Sequence, residues 1–284
     1  MDNIFSLNQD LVNHAYIHGG YHHFKIADPK PRDIHKASVR DRLLHHAVYR
    51  VLYPFFDRLF IADSYSCRIN NGTHKAVNRF RSFGHRASAN HTRTAWVLKC
   101  DIRKFFANID HAILLSILSR SIPDRDIMQL LAEIIRSHHS IKPGVGLPLG
   151  NLTSQIFVNI YMNEFDQFVK HCLKARYYLR YADDFAVISH NRAYLESILV
   201  PMQRFLEEKL KLSMHPDKIF IKTIASGIDF LGWVHFSDHR VLRTATKRRM
   251  LRRIAEHPSP ETMRSYLGLL RHGNAGKLQS CLML

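Results

Sequence analysis

RYYLR (176–180), Tyr181-Ala182-Asp183-Asp184 and FAVIS (185–189) run without a break, and how they are read decides the fold. Two apolar, strand-like runs joined by adjacent acids read as a β-hairpin with carboxylates at its tip. Neighbouring carboxylates at a turn repel one another unless cations neutralise them. Oxygen-only ligands on a rigid hairpin suit Mg²⁺, which takes a few carboxylates, waters and substrate phosphates. Most Asp-Asp turns are solvated turn chemistry, so the metal reading needs a third carboxylate from another strand.

The segment WVLKCDIRKFFANIDH (96–111) supplies it. Trp96-Val97-Leu98 has a buried-strand pattern, and the run turns polar at Asp101. Asp101 and Asp183 together would bridge two divalent ions about 4 Å apart, as in-line displacement at phosphorus requires. Asp110 suits the N-cap of a helix starting near Ile109, which relieves Asp101 of a capping role.

Composition agrees. With 284 residues and 46% apolar content the chain buries a substantial core, as one multi-part unit rather than two independent domains. A formal charge of +17 implies a polyanionic partner bound through phosphate neutralisation. The twenty histidines predict stronger binding as pH falls below about 6.5. Cys67, Cys100, Cys172 and Cys281 stand apart with no C-x-x-C spacing, which reads as reduced, cytosolic thiols. The doublets His45-His46 and His138-His139 sit on or at the end of helices, where adjacent residues diverge, so neither makes a metal site alone. The first residues, MDNIFSLNQDLV, have no signal pattern, and AVYRVLYPFFDRLFIA (47–62) is too interrupted to span a bilayer, so no membrane partner is expected.

Residues 1 to about 95 read as a short strand mixed with helices. Leu44, Ala47, Val48, Val51 and Leu52 follow a helical rhythm, as do Ile127, Leu130, Leu131, Ile134 and Ile135 after Pro123-Asp124. Gly144, Gly146, Pro148 and Gly150 predict a bent loop before a long helix from about Leu152, without the spacing of a P-loop.

Motifs in order along nearly the whole chain resemble the reverse transcriptases, especially bacterial ones similar to those of diversity-generating retroelements and group II introns. They are PKPRDI (29–34), VRDRLLHHAV (39–48), DSYSCRINNGTHKAV (63–77), DIRKFFANIDH (101–111), GLPLGNLTSQIFVNIYMN (146–163), RYADDF (180–185), HPDK (215–218) and DFLGW (229–233). The resemblance implies an α+β right-hand polymerase with fingers, an antiparallel-sheet palm and a short helical thumb. It divides the chain into fingers (1–95), palm (96–111), fingers and palm helices (112–145), palm with catalytic hairpin and primer grip (146–236), and thumb (237–284). The basic run VLRTATKRRMLRRIAEH (241–257) and PSPETMRSYLGLLRHGN (258–274) would be the thumb helices.

The activity implied is RNA-directed DNA polymerisation, adding dNMPs to a 3′-hydroxyl with two Mg²⁺ or, in their place, Mn²⁺. By matching motifs, Asp101, Ile102, Asp183 and Asp184 look like the metal-holding positions. Lys218 resembles the lysine that protonates departing pyrophosphate, and Lys25 and Arg32 resemble the triphosphate-binding pair, with Arg40 and Arg42 as further contributors. Phe106 stands where the family places an aromatic gate that leaves no room for a ribose 2′-hydroxyl. Strand alternation would send one of Phe105 and Phe106 into the core and the other to the pocket. Many relatives have Gln where this chain has Leu149 and Pro where it has Gln155. The Leu/Gln form is similar to that of diversity-generating enzymes, which implies lax base selection. Implied partners are an RNA template (a dedicated non-coding RNA), a DNA or RNA primer and dNTPs. An accessory protein or a second copy would compensate for the short thumb, in a bacterial cytoplasm. Retroelement diversification and antiviral defence both fit, and the readings weighed against polymerase activity are an idle RNA-binding scaffold and RNA-templated RNA synthesis.

Overall fold

The protein is described here by a computed structural model covering residues 2–27, 31–140 and 142–283, with the side chains of Asp2, Asn3, Cys281 and Met283 outside the described set. Pro29 and Lys30 of PKPRDI and the thiol of Cys281 therefore lie outside the described residues. Helix α1 (Asp2–Val12) leads into β1 (Tyr21–Ile26) and β2 (Arg32–Ala37). These pair antiparallel from Tyr21↔Ala37 to Ile26↔Arg32 as a ribbon of their own, so the N-terminal region holds two strands rather than one.

Helix α2 (Val39–Phe56) starts where Ser38 accepts a hydrogen bond from the Asp41 amide. Its buried face differs from the apolar rhythm in the sequence. Leu44 and Leu52 are buried, but Ala47 and Val51 are exposed, and Asp41 and His45 take the inner positions. The reason is local: Tyr16, Ser38 and the Gly19 amide all donate to Asp41, and His18 Nε2 meets His45 Nε2 at 3.2 Å. Satisfied polar groups are tolerated inside, so the helix rotates relative to its apolar stripe. Helix α3 (Thr73–Ala87) follows, then β3 (Trp96–Asp101), ending at the predicted aspartate.

Two aspartate caps behave as the sequence chemistry requires. Asp110 accepts from the Ile113 amide to open α4 (His111–Ser119), and Asp124 accepts from the Ile127 amide to open α5 (Arg125–Arg136). The buried face of α5 is Leu131, Ile134 and Ile135, while Ile127 stays exposed in the first turn. After a loop with Gly144, Gly146 and Gly150 at positive φ comes α6 (Leu152–Gln167), nearly all of it interior. The central hairpin is β4 (Tyr177–Tyr181) and β5 (Asp184–Ser189). Helix α7 (Arg192–Leu210) then returns to β6 (Phe220–Thr223), giving an antiparallel sheet of order β4-β5-β3-β6. A second sheet is built from β7 (Ile228–Phe230), β8 (Trp233–His235) and β9 (Arg240–Leu242). Helices α8 (Thr244–Glu256), α9 (Pro260–Leu270) and α10 (Gly276–Met283) complete the chain.

Period-two alternation gives the four-stranded sheet two apolar faces. Leu98, Cys100, Phe185 and Val187 join the large core with α2, α4, α5, α6 and α7. Val97, Leu179, Ala186 and Ile188 pack with Phe80 and Phe83 of α3 on the other face. Helix α3 runs along that second face, from Thr73, which donates to the Tyr181 hydroxyl at 3.2 Å beside the acidic turn, to Phe83 against Tyr177. The architecture is α+β, an antiparallel sheet backed by helices, as the resemblance implies for the palm of a right-hand polymerase. No helix among the described residues is long and apolar enough to cross a membrane.

Candidate active site

Strand pairing brings the first two acids together. Asp101, last in β3, is the direct partner of Asp184, first in β5. The Ile102 amide donates to the Asp183 carbonyl at 3.1 Å, so Asp101 and Asp184 form a non-hydrogen-bonded pair. In such a pair the Cβ atoms stand about 4.5–5.5 Å apart on one face. Asp183 and Ala182 are the two-residue turn, because Tyr181 pairs with Asp184. Ala182 takes φ 54° while Asp183 keeps a negative φ, the sign pattern of a type II′ turn.

Burial raises the carboxyl of Asp183, and the nearby charge of Asp101 raises it further, while Lys218 and Arg32 pull it down. Burial pushes Asp184 up to about 6 against the opposing pull of Lys99. Three acids thus share one desolvated end of the sheet.

Cationic side chains hold them. Lys218, in the 3₁₀ turn Pro216–Lys218, places Nζ 2.7 Å from Asp101 Oδ1. Lys99, only 9% exposed in mid-β3, places Nζ 2.8 Å from Asp184 Oδ1. That ammonium is the partner Asp184 Oδ1 has in its buried position. Among the described residues no three His, Cys, Asp or Glu side chains are grouped to hold a metal as they stand. The donor chemistry nevertheless fits a hard divalent cation: carboxylate oxygens, with ammonium groups occupying the cationic positions. Ile102, whose side chain is buried, has only its main-chain carbonyl to offer.

Behind the turn is a buried support. Arg180, fully enclosed in β4, forks onto Asp166 of α6 with Nε–Oδ1 at 2.8 Å and a terminal nitrogen at 2.7 Å from Oδ2. Its other terminal nitrogen donates to the Ala182 carbonyl at 3.0 Å, and Tyr178 donates to Asp166 at 2.6 Å. Arg180 therefore ties the acidic turn to the core. Neither Lys99 nor Arg180 was singled out by sequence reasoning, and the available signal was a lone base inside an apolar strand.

The remaining expected residues lie on the ribbon, the 3₁₀ turn after β3, the glycine loop and α6. Arg32 lies at the start of β2 with its charge acting on Asp183, while Lys25 is paired with Asp33 on the opposite face of the ribbon. Arg40 is committed to Asp10 and Asp41. Phe105 is buried and Phe106 half-buried, but the segment is a 3₁₀ turn (Phe106–Asn108) rather than strand, so turn geometry separates the two rings instead of alternation. The Phe106 carbonyl accepts from the Leu147 amide at 2.8 Å, joining the aromatic to the glycine loop. Leu149 accepts from the His35 amide through its carbonyl at 2.9 Å, and Gln155 is half-buried in the first turn of α6. Asn151 bridges ribbon and loop: its side chain accepts from the Ala37 amide and donates to the His35 carbonyl, as a neighbouring strand would. Gly150 permits this approach, since a Cβ there would stand 2.8 Å from Ile34 Cγ2, and its φ of +110° disfavours other residues. The histidines are not one titrating reservoir, because burial lowers His45 and His138 to about 4 and His235 to about 3.

Comparison with known proteins gives this arrangement its family. The chain is 27% identical over 267 residues to Protein YkfC of Escherichia coli (strain K12), covering 81% of this chain and 68% of that protein. It is 23% identical over 290 residues to the Group II intron-encoded protein LtrA of Lactococcus lactis subsp. cremoris, covering 78% of this chain but 46% of that one. Among solved structures it resembles apo telomerase from Candida tropicalis, with a TM-score of 0.59 at 11% identity, covering 77% of this chain and 47% of that chain. The family described as "Reverse transcriptase (RNA-dependent DNA polymerase)" matches residues 27–235, and the chain belongs to it.

Proposed function

We propose that this chain is an RNA-directed DNA polymerase that extends a primer 3′-hydroxyl with dNMPs under the direction of an RNA template. The observation that carries this reading is the direct pairing of Asp101 with Asp184 beside Asp183 at one end of the palm sheet. A protein that only bound a polyanion would gain nothing from three desolvated acids beside it. Enzymes of this family work with divalent ions, and two Mg²⁺, replaceable by Mn²⁺, would be held by Asp101, Asp183, the Ile102 carbonyl and, at the edge, Asp184. Bound there, they would supply charge neutralisation for the attacking hydroxyl and the departing pyrophosphate.

The protein's own groups do the rest. Arg32, and Lys25 from the ribbon's other face, would clamp the triphosphate and stabilise charge developing on the leaving group. Lys218 would leave Asp101 and hand a proton to pyrophosphate. Phe106 would exclude the ribose 2′-hydroxyl, favouring dNTPs over rNTPs. Leu149, standing where many relatives carry a hydrogen-bonding Gln, would remove a polar check on the nucleotide and support low fidelity, with Gln155 beside it in the first turn of α6. The arginine-rich helix α8 and its successor α9 would track duplex backbone as a thumb, with a dedicated RNA, an accessory protein or a second copy completing a weak grip.

The test is dNTP incorporation on oligo(dT)-primed poly(rA) with Mg²⁺. Wild type should extend the primer, and Asp183→Ala should lower the rate on the order of 10³-fold or more, about 4 kcal/mol of barrier. Extension that survives in Asp183→Ala would falsify the reading. On an adenine-rich template Leu149→Gln should reduce misincorporation, and equal error rates would remove the fidelity proposal alone.

A further inference from the structure

A second cleft opens at the end of the palm sheet away from the acids. It lies between the second half of α3, the loop leading into β3, the end of β6 and the turn between β8 and β9, and holds about 430 Å³. That volume falls within the roughly 300–1,000 Å³ of small-ligand sites. Thr223 in its wall pairs with Trp96, the first residue of β3, whereas Asp101 is the last. Five residues at about 3.4 Å each separate the two ends by roughly 17 Å.

The cleft is built for an anion. No Asp or Glu side chain lines it, and the exposed residues Arg81 and Arg93 stand along it. Each arginine spends one N–H on a main-chain carbonyl, Arg81 on Asp238 at 3.1 Å and Arg93 on Ala87 at 3.2 Å. These bonds fix the guanidinium groups without neutralising them, and among the described residues neither arginine has a carboxylate partner. Arg68, Arg79 and Arg180, by contrast, are paired with Asp57, Asp63 and Asp166. Fixed, unpaired guanidinium forks match phosphate oxygens.

Two further features point to a ligand. Ala89, Asn90 and His91 adopt positive φ in succession (48°, 60° and 68°), none of them glycine. Such conformations cost about 1–3 kcal/mol each and concentrate at functional sites. This strained loop positions His91 and Arg93 on the cleft, held by the Asn90 amide on the His85 carbonyl and the Arg93 amide on the Ser88 carbonyl. Phe236, half-buried and stacked on His239, supplies an aromatic wall beside the basic groups. Phosphate-binding arginines next to an aromatic wall are the requirements for one nucleotide, since base–aromatic stacking contributes about 1–3 kcal/mol.

We propose that this rear cleft is a second nucleic-acid site, which takes one unpaired nucleotide of a single-stranded RNA with its phosphate on Arg81 and Arg93 and its base against Phe236. The site stands apart from the polymerase reading, because none of its residues serves there. It would let the enzyme hold an RNA outside the primer–template path.

The test is fluorescence-polarisation binding of a labelled eight-nucleotide single-stranded RNA to full-length protein already saturated with primer–template duplex. Arg81→Glu/Arg93→Glu should weaken binding at least tenfold, and Phe236→Ala at least threefold, with primer extension unchanged. The control Arg192→Glu/Arg204→Glu reverses as many charges on α7 and should stay within twofold of wild type. Should the glutamate variant not fold, Arg81→Gln/Arg93→Gln carries the same expectation. Competition with AMP separates the two sources of this chemistry. Displacement only at millimolar AMP assigns the cleft to an RNA strand, and displacement at micromolar AMP, lost in the arginine variant, assigns it to a free mononucleotide. The proposal is overturned if the arginine variant binds RNA as wild type does, if the α7 control weakens binding equally, or if oligoglutamate displaces RNA as well as unlabelled RNA does.

Discussion

The acidic hairpin β4–β5 and the N-terminal ribbon β1–β2 are both antiparallel pairs, yet they are held in opposite ways. The hairpin is part of a four-stranded sheet, with β5 between β4 and β3, and Arg180 ties its turn to a fully buried Asp166. Among the described residues the ribbon pairs with no other strand, and most of its side chains are exposed. Its attachment includes Asn151, the His35–Leu149 hydrogen bond, and ring contacts of Tyr21 and His35 with His138. On the proposed function, the acids that would need a fixed spacing are on the rigid element, and Arg32, which would meet the substrate, is on the loosely docked one. Low local stability is what allows an element to close on a ligand.

Breaking the rigid half should have the largest effect. Arg180→Met leaves the Asp166 carboxylate buried and unpaired, which costs about 3–5 kcal/mol. Urea unfolding should show that loss, and the double variant Arg180→Met/Asp166→Leu should recover most of it. If Arg180→Met alone unfolds with the wild-type midpoint, the turn is not supported from behind and the contrast fails. The loose half should respond differently. Asn151→Ala strands the Ala37 amide and the His35 carbonyl, at about 1–3 kcal/mol. That loss should fall on ribbon docking, raising KM for dNTPs and speeding amide exchange at Ala37. Faster exchange at Phe185 instead would show that Asn151 supports the palm.

How much of this was legible in the sequence follows the same division. Asp101, Asp183 and the strands that carry them were readable because a period of two and a polar turn are local signals. So were the caps Asp110 and Asp124, whose hydrogen bonds close within three residues. Lys99 and Arg180 were not, since each looks like a misplaced base until a partner on another element neutralises it. The face of α2 misread for the same reason, as Asp41 and His45 are interior only because Tyr16 and His18 meet them. Asn151 sits at a helix N-cap position but makes no capping bond, and its side chain pairs with a ribbon far away in sequence. Long-range polar satisfaction leaves no periodic trace.

Acid should separate the two halves by sign, with a smaller effect than either substitution. Burial, with Asp101 and Asp183 adding to it, pushes Asp184 up to about 6 despite Lys99. The folded, metal-free protein therefore binds a proton between about 3.8 and 6 that the unfolded chain does not. Stability from this group is present at low pH and is lost as pH rises through that window. The ribbon runs the other way. Burial lowers His35, aided by the charge of His23, and burial with His35 lowers His138 to about 4. The unfolded chain then binds more protons below about 6.5, so docking weakens as pH falls from there toward about 4. Acidification from pH 7.5 to pH 5 should increase protection at Phe185 and decrease it at Ala37, measured by hydrogen exchange corrected for intrinsic rates. Polymerase activity should fall over the same interval, by at most about tenfold per pH unit for one titrating carboxyl, because the rigid half loses an anionic ligand while the mobile half loses its hold. Protection that moves in the same direction at both amides would mean that the two hairpins share one cooperative unit, and that the division between a fixed acidic half and an adaptable basic half is mistaken.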